Sequence, residues 1–347
     1  MSAYVRSFLL LSAALANGYA AMAEQGTAVA HQSPQSIRLN VHVAPKSGPA
    51  ATGLESRDFT VLDNRAPQQI LSFKAINANQ EPAKVILLID AVNTDFSRVA
   101  QARDQVQKFL RADNGHLQHP TTIAVLTDRG TQIQKDFTTD GNGLSSTLDH
   151  YTIGLREITR SSGIWGADER VDTSLRAVRE LSAYATSLPG RKVLLWISPG
   201  WPLLSGARIE LSSRQQNQIF SNVVAFSNKL QQSDVTLYSI NPLGVEESLY
   251  RQDLYQAFVK GVPTSSKTDM ADLSLQVLAV QSGGLALNGN NDVVHGLKTC
   301  LADLDSWYEI TVPTSRADRP NEYHQIEVKT DKPGLVTRTR DGYYAQP

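Results

Sequence analysis

Hydrophobic positions along the chain change period twice. Ile37, Leu39, Val41 and Val43 alternate with Arg38, Asn40 and His42, the period-two signature of a half-buried strand. A turn rich in Gly, Pro and Ser follows over 45–53. Phe59 and Val61, a turn at Asp63-Asn64, and Ile70 with Phe73 continue the β pattern. From Val85 onward the grammar is α/β. Unbroken apolar runs at 85–89, 123–126 and 193–197 predict parallel strands covered on both faces, with a further strand at 235–240, 130–137 as a hairpin partner and a short strand at 285–287. Between them lie helical stripes: Val99, Ala102, Val106, Phe109 and Leu110, then Leu175, Val178, Leu181, Ala185 and Leu188. Ile219, Val223, Phe226 and Leu230 form a third, Leu273, Val277 and Val280 a fourth, and Val294, Leu297, Leu301 and Leu304 a fifth. The tail returns to strands at 307–312, 323–330 and 335–344, too few for a stable domain alone.

This order predicts an α/β domain over 83–304 with a doubly wound, mostly parallel sheet. It is inserted in a small β-sandwich formed by the N-terminal segment 36–80 and the C-terminal segment 305–347. Residues 1–23 read as a signal peptide. Arg6 precedes an apolar run over 8–16 that is too short to span a bilayer, and Ala21-Met22-Ala23 supplies the small residues of a cleavage site. No cysteine follows to take a lipid, and 24–35 reads as a flexible lead-in. The expectation is an exported protein, periplasmic or extracellular, with no integral membrane segment after cleavage. Its 347 residues carry 33 Lys+Arg against 34 Asp+Glu, and this balance removes any global electrostatic case for nucleic acid. The single cysteine, Cys300, excludes a disulfide framework and sits on an apolar helical stripe, as a buried thiol does.

Open parallel sheets bind ligands at the carboxyl ends of their strands, so strand-end residues matter most. The first apolar run ends in Asp90-Ala91-Val92-Asn93-Thr94. An acid directly after a buried strand, opening a loop before a helix, is where a von Willebrand factor type A domain begins its metal-binding motif, and the chain resembles that family. Thr52-Gly53-Leu54, Asp58-Phe59, Leu62-Asp63-Asn64 and Pro67-Gln68-Gln69-Ile70 sharpen the likeness to the acidobacterial VWFA-related proteins. Pro189-Gly190-Arg191-Lys192 and the closing Arg340-Asp341-Gly342-Tyr343-Tyr344 fit that group too.

The resemblance implies a von Willebrand A-like fold and a metal-ion-dependent adhesion site of the form D-x-S-x-S, a loop Thr and a later Asp. Asp90 matches the first position, Thr94 can replace the second Ser, and Thr173 stands as the loop Thr before the Leu175 stripe. Val92 has no side-chain oxygen, and Ser198-Pro199-Gly200 lacks the later Asp. Because affinity follows ligand count, the expected site is degenerate and needs no cofactor. Asp90 would then accept backbone N–H groups of its turn or cap the next helix, and Thr173 or Asp172 would be an N-cap. The alternative keeps a weak Mg²⁺ or Ca²⁺ at Asp90, Thr94 and Thr173.

Asn93, Trp165, Ser198 and Trp201 fall on the same predicted rim and are the candidate surface for a protein partner; each tryptophan is either an interface anchor or a cover over local core. His116 and His119 read as a solvated loop pair, with a zinc site as the weaker idea. No nucleophile elbow, Walker loop, dinucleotide fingerprint or H-E-x-x-H is present, so the expectation is a non-enzymatic adhesion or scaffold protein. A secreted hydrolase with an unrecognised site is the remaining alternative.

Overall fold

In the computed structural model the described residues are 36–151, 164–201, 210–244 and 254–347. Residues 1–23, expected as a signal peptide, and 24–35, expected as a lead-in, lie outside them. The opening alternation becomes β1 (Ser36–Pro45), with Ile37, Leu39, Val41 and Val43 all buried. After it come β2 (Phe59–Asp63), β3 (Ala66–Gln68) and β4 (Ser72–Asn77). The α/β layer follows with β5 (Lys84–Asp90), α1 (Phe96–Arg111), β6 (His116–Thr127), β7 (Gly130–Ile133), β8 (Thr138–Asp140) and α2 (Gly141–His150). It continues with α3 (Ile164–Thr186), β9 (Lys192–Ile197), α4 (Ser213–Gln232), β10 (Val235–Ile240), α5 (Leu275–Gln281), β11 (Ala286–Leu287) and α6 (Val293–Ala302). The chain closes on β12 (Ser306–Pro313), β13 (Glu322–Thr330), β14 (Leu335–Arg338) and β15 (Gly342–Ala345).

Two four-stranded antiparallel sheets, ordered β14-β1-β12-β4 and β15-β13-β2-β3, share one apolar core. The two ends of the described chain complete each other, since Ser36 pairs with Pro313 and Pro45 with Leu335. The run at 335–344, expected as one strand, is two. β14 pairs with β1 in one sheet and β15 with β13 in the other. One ladder cannot serve two facing sheets, so the pairing breaks at Thr339-Arg340-Asp341.

The third sheet is mostly parallel, ordered β11-β10-β9-β5-β6-β7, with β7 and β8 antiparallel to β6. Its chain order reverses between β5 and β9. Strand side chains alternate between faces. Val85, Leu87 and Ile89 pack with residues of α1, α2 and α6, whereas Ile86 and Leu88 pack with α3, α4 and α5. Cover on both faces accounts for the unbroken apolar run of β5. Among the described residues no helix is long and apolar enough to cross a membrane.

A buried ionic cluster joins this layer to the antiparallel sheets. Asp303, just past α6, accepts hydrogen bonds from Tyr238 Oη on β10 (2.8 Å) and from Arg338 on β14. Its other oxygen lies 3.2 Å from His42 Nε2 on β1. Arg191, at the foot of β9, stacks over the Trp307 ring at 4.8 Å. Burial holds the His42 imidazole below its ordinary pKa, against the pull of Asp303.

One sequence expectation changes here and one holds. His116 and His119 are not a solvated loop pair, because β6 begins at His116 and His119 is buried. Among the described residues neither ring nitrogen of His119 has a hydrogen-bond partner, and burial lowers its pKa as well. Cys300 is buried as expected, and desolvation pushes its thiol up.

Candidate functional site

Strand periodicity builds the site. Leu88 on β5 is in register with Trp196 on β9, and both face α3. Two residues further along, Asp90 and Ser198 therefore emerge on the same face, at the carboxyl end of the sheet where the strand order reverses. Asp90 is 1% exposed and its carboxyl group takes five protein donors. Oδ1 accepts the backbone N–H groups of Val92 (2.8 Å) and Asn93 (2.9 Å). Oδ2 accepts Asn93 Nδ2 (2.8 Å), Ser198 Oγ (2.8 Å) and Trp196 Nε1 (3.2 Å). Asn93 Nδ2 also donates to Ser174 Oγ on α3 at 2.8 Å, which ties the turn to that helix.

Asp90 is thus the acceptor of its own turn, and it does not cap α1. That role falls to Asp95, whose Oδ1 accepts the Arg98 N–H at 2.9 Å. Thr173 is neither a loop residue nor an N-cap, because α3 begins at Ile164 and carries it in its interior, buried. The first turns of α3 include the charged run Asp168-Glu169-Arg170, which hides the helix start from a search for apolar stripes.

A divalent ion takes six or more oxygens, and Mg²⁺ or Ca²⁺ at this turn would need free lone pairs on Asp90. A carboxylate has roughly four lone-pair sites. Five donors already compete for them here, and the Ser198 hydroxyl points its hydrogen at Asp90 rather than a lone pair at an ion. Val92 is buried and offers only methyl groups. Thr94 Oγ1 and Asn93 Oδ1 are buried without a partner among the described residues, two neutral oxygens and no carboxylate. Among the described residues, this turn therefore offers the ion no free carboxylate lone pair. Among the described residues, no group of three or more His, Cys, Asp or Glu side chains is placed to hold a metal.

The expected partner-binding rim is also redrawn. Ser198 is buried, committed to Asp90 and to the Gly200 N–H (3.0 Å). Trp201 is only 5% exposed. Its Nε1 donates to the Leu273 carbonyl at 3.0 Å and its ring meets Trp196 edge-on at 5.6 Å, so it is a cover over local core. The tight turn beneath it depends on Gly200, whose φ of +86° is costly for any residue with a Cβ. Trp165 lies in the first turn of α3, and its side chain is outside the described residues. An exposed apolar group near this turn is Phe96, 54% exposed directly after the Asp95 cap. Its spacing of three before Val99 reads as core, and only the structure puts it in solvent.

Under Trp201 the 3₁₀ turn Met270–Leu273 buries Asp272, whose Oδ2 accepts the Asp269 N–H at 2.7 Å. Burial pushes the Asp272 carboxyl up to about 7. A folded-state value above the unfolded one favours the neutral acid, so its stability contribution is full below about pH 4 and is lost as pH rises through 7. Asp272→Asn keeps the accepting oxygen and cannot ionise. It is expected to match wild type near pH 4 and exceed it by about 4 kcal/mol at pH 8, read from urea unfolding at both pH values. Equal stability of the two proteins at pH 8 would contradict this.

A Ser–His–Asp grouping occurs in the antiparallel sheets. Asp63 contacts His324 Nδ1 (2.8 Å) and accepts Ser315 Oγ (2.7 Å) and Tyr343 Oη (2.6 Å). The serine donates to the carboxylate rather than to the imidazole, and His324 Nε2 is buried without a partner among the described residues. Activation of a serine needs a hydroxyl-to-base contact, which this cluster does not make. It braces β2 against β13 and β15.

No protein-family description matches the chain, and no curated protein does. Among solved structures it is similar to proximal thread matrix protein 1 from the mussel byssus at 15% identity and a TM-score of 0.33, over 63% of this chain and 47% of that one. The PilB minor pilin from Streptococcus sanguinis gives 8% and 0.32, over 64% and 62%. The human COPII-coat protein Sec24c gives 7% and 0.33, over 76% and 44%. The chain thus spans roughly two fifths to three fifths of the length of these proteins, and the TM-scores are too low to carry a functional conclusion.

Proposed function

We propose that the chain is an exported, non-enzymatic protein-binding module on a von Willebrand A-like, doubly wound fold, whose degenerate adhesion site works without an ion. The fold reading is supported by the strand order β11-β10-β9-β5-β6-β7, with helices on both faces and the reversal falling beside Asp90. The observation that carries the functional reading is the saturation of Asp90 by five protein donors. A turn wired in this way holds its shape with no metal and presents Phe96 beside it. Exposed aromatic groups on a rigid support are effective interface anchors.

The test is site-specific photo-cross-linking in the producing cell. Benzoylphenylalanine at position 96 is expected to trap a discrete protein with equal yield in EDTA and in Mg²⁺. The same group at Val336, exposed on the edge strand β14, should not trap it. Cross-links that vanish in EDTA and return with Mg²⁺ would overturn ion independence. Equal trapping at positions 96 and 336 would overturn the rim.

A further inference from the structure

Where the chain crosses from β14 to β15, Arg340 turns inward. It is 7% exposed, and its Nε is buried with no hydrogen-bond partner among the described residues. The crossover is fixed from behind by the end of α5. Gly283, at φ +92°, brings its backbone so close that a Cβ there would lie 2.9 Å from the Arg340 nitrogen, and the Asp341 N–H donates to the Gln281 carbonyl. A guanidinium is held in place here with no carboxylate of the described residues in salt-bridge contact.

Burying an unpaired charge is costly, and each such group calls for a partner. Arg340 lines a cavity of about 20 Å³ together with Arg38, Asn40, Asp234, Ser282 and Thr339. The Thr339 hydroxyl is also buried without a partner. Asp234 is already engaged, accepting Asn40 Nδ2 at 2.7 Å and facing Arg38 at 3.7 Å. Ser282 is committed to the backbone of Leu237 and Ala279. Two guanidinium groups and one carboxylate line the cavity, and the neighbouring Asp341 carboxylate, outside the lining, acts on Arg340 without reaching salt-bridge contact. The volume is enough for one water molecule or one small ion. Burial lowers the Arg340 pKa only to about 10, so the group is cationic at neutral pH.

We propose that this cavity, at the seam between the antiparallel sheets and the parallel-sheet layer, binds a single small monovalent anion of the halide class, held by Arg340 and Thr339. It would act as a structural counter-ion joining β1, β10 and the β14–β15 crossover. The site is distinct from the Asp90 turn and does not depend on how that turn functions.

Crystals of the full chain grown with sodium bromide in place of chloride test this directly. The expected result is one bromine anomalous peak within hydrogen-bonding distance of the Arg340 guanidinium and the Thr339 hydroxyl. In parallel, the melting temperature should rise by about 2–4 °C per tenfold increase in halide above its dissociation constant, against sodium gluconate at equal ionic strength. Arg340→Met, of similar volume and uncharged, should lose that halide response. A water or no peak at Arg340 would overturn the proposal, and so would an equal melting temperature in chloride and gluconate. The map on wild-type protein decides the matter even where the variant fails to fold.

Discussion

Replacing Asp90 with alanine is expected to lower the melting temperature by on the order of 10 °C, with no metal present in either protein. The substitution removes one small side chain and strands five donors: two backbone N–H groups, the Asn93 amide, the Ser198 hydroxyl and the Trp196 indole. Each buried donor left unsatisfied costs roughly 1–3 kcal/mol, reduced by local relaxation, so about 4–5 kcal/mol is a reasonable total. Asp90→Asn should fall between the two, because it keeps one accepting oxygen and turns an NH₂ group toward donors. Thermal melts followed by circular dichroism measure the series.

The same melts discriminate the roles open to Asp90. An ion bound to the native state alone raises stability as RT ln(1 + [L]/Kd). Mg²⁺, Mn²⁺ and Ca²⁺ are expected to leave the wild-type melting temperature unchanged, since an ion would first have to displace Asn93 Nδ2 and Ser198 Oγ from Asp90. A rise in Mg²⁺ that Asp90→Ala abolishes would instead establish a weak metal centre and reverse the proposed function.

What could be read ahead of the structure follows from where physical signals are local. The parallel strands were legible because cover on both faces writes an uninterrupted apolar run, as in 85–89. Asp90 was legible because a carboxyl directly after such a run needs a reason to be there. Its partners were not, because Trp196 and Ser198 reach it across more than a hundred residues through strand register. Thr173 reads as a loop residue because the apolar stripe begins only at Leu175, while α3 runs back to Ile164 through charged turns. Trp201 shows the limit most plainly. A tryptophan after Pro-Gly is read equally well as an anchor or as a cover, and the carbonyl of Leu273 that decides between them is set by tertiary packing. At Arg340 the local signal is partial: Asp341-Gly342 interrupts the strand-forming residues, but nothing local tells that the two halves join different sheets.

Asp303→Ala is expected to cost about 3–5 kcal/mol, the range for breaking one partner out of a buried ion pair. It leaves the Arg338 guanidinium, the Tyr238 hydroxyl and His42 without their shared acceptor at the junction of the two layers. The penalty arises mainly from the stranded cation rather than from the net worth of the pair. The double replacement Asp303→Leu with Arg338→Met should therefore be less destabilised than Asp303→Ala alone, by urea unfolding of each protein. Acid sensitivity supplies a second reading of the same cluster. His42 has a folded-state value below its ordinary 6.5, so its contribution is full above pH 6.5 and is lost as pH falls through the folded value. Asp303 is the largest influence holding that value up. Without it the imidazole resists protonation further, and the stability lost between neutral pH and about pH 4 should be greater in Asp303→Ala than in wild type. Parallel acid profiles, or a double variant as costly as the single one, would show that the charge of Asp303 is not what holds the junction together.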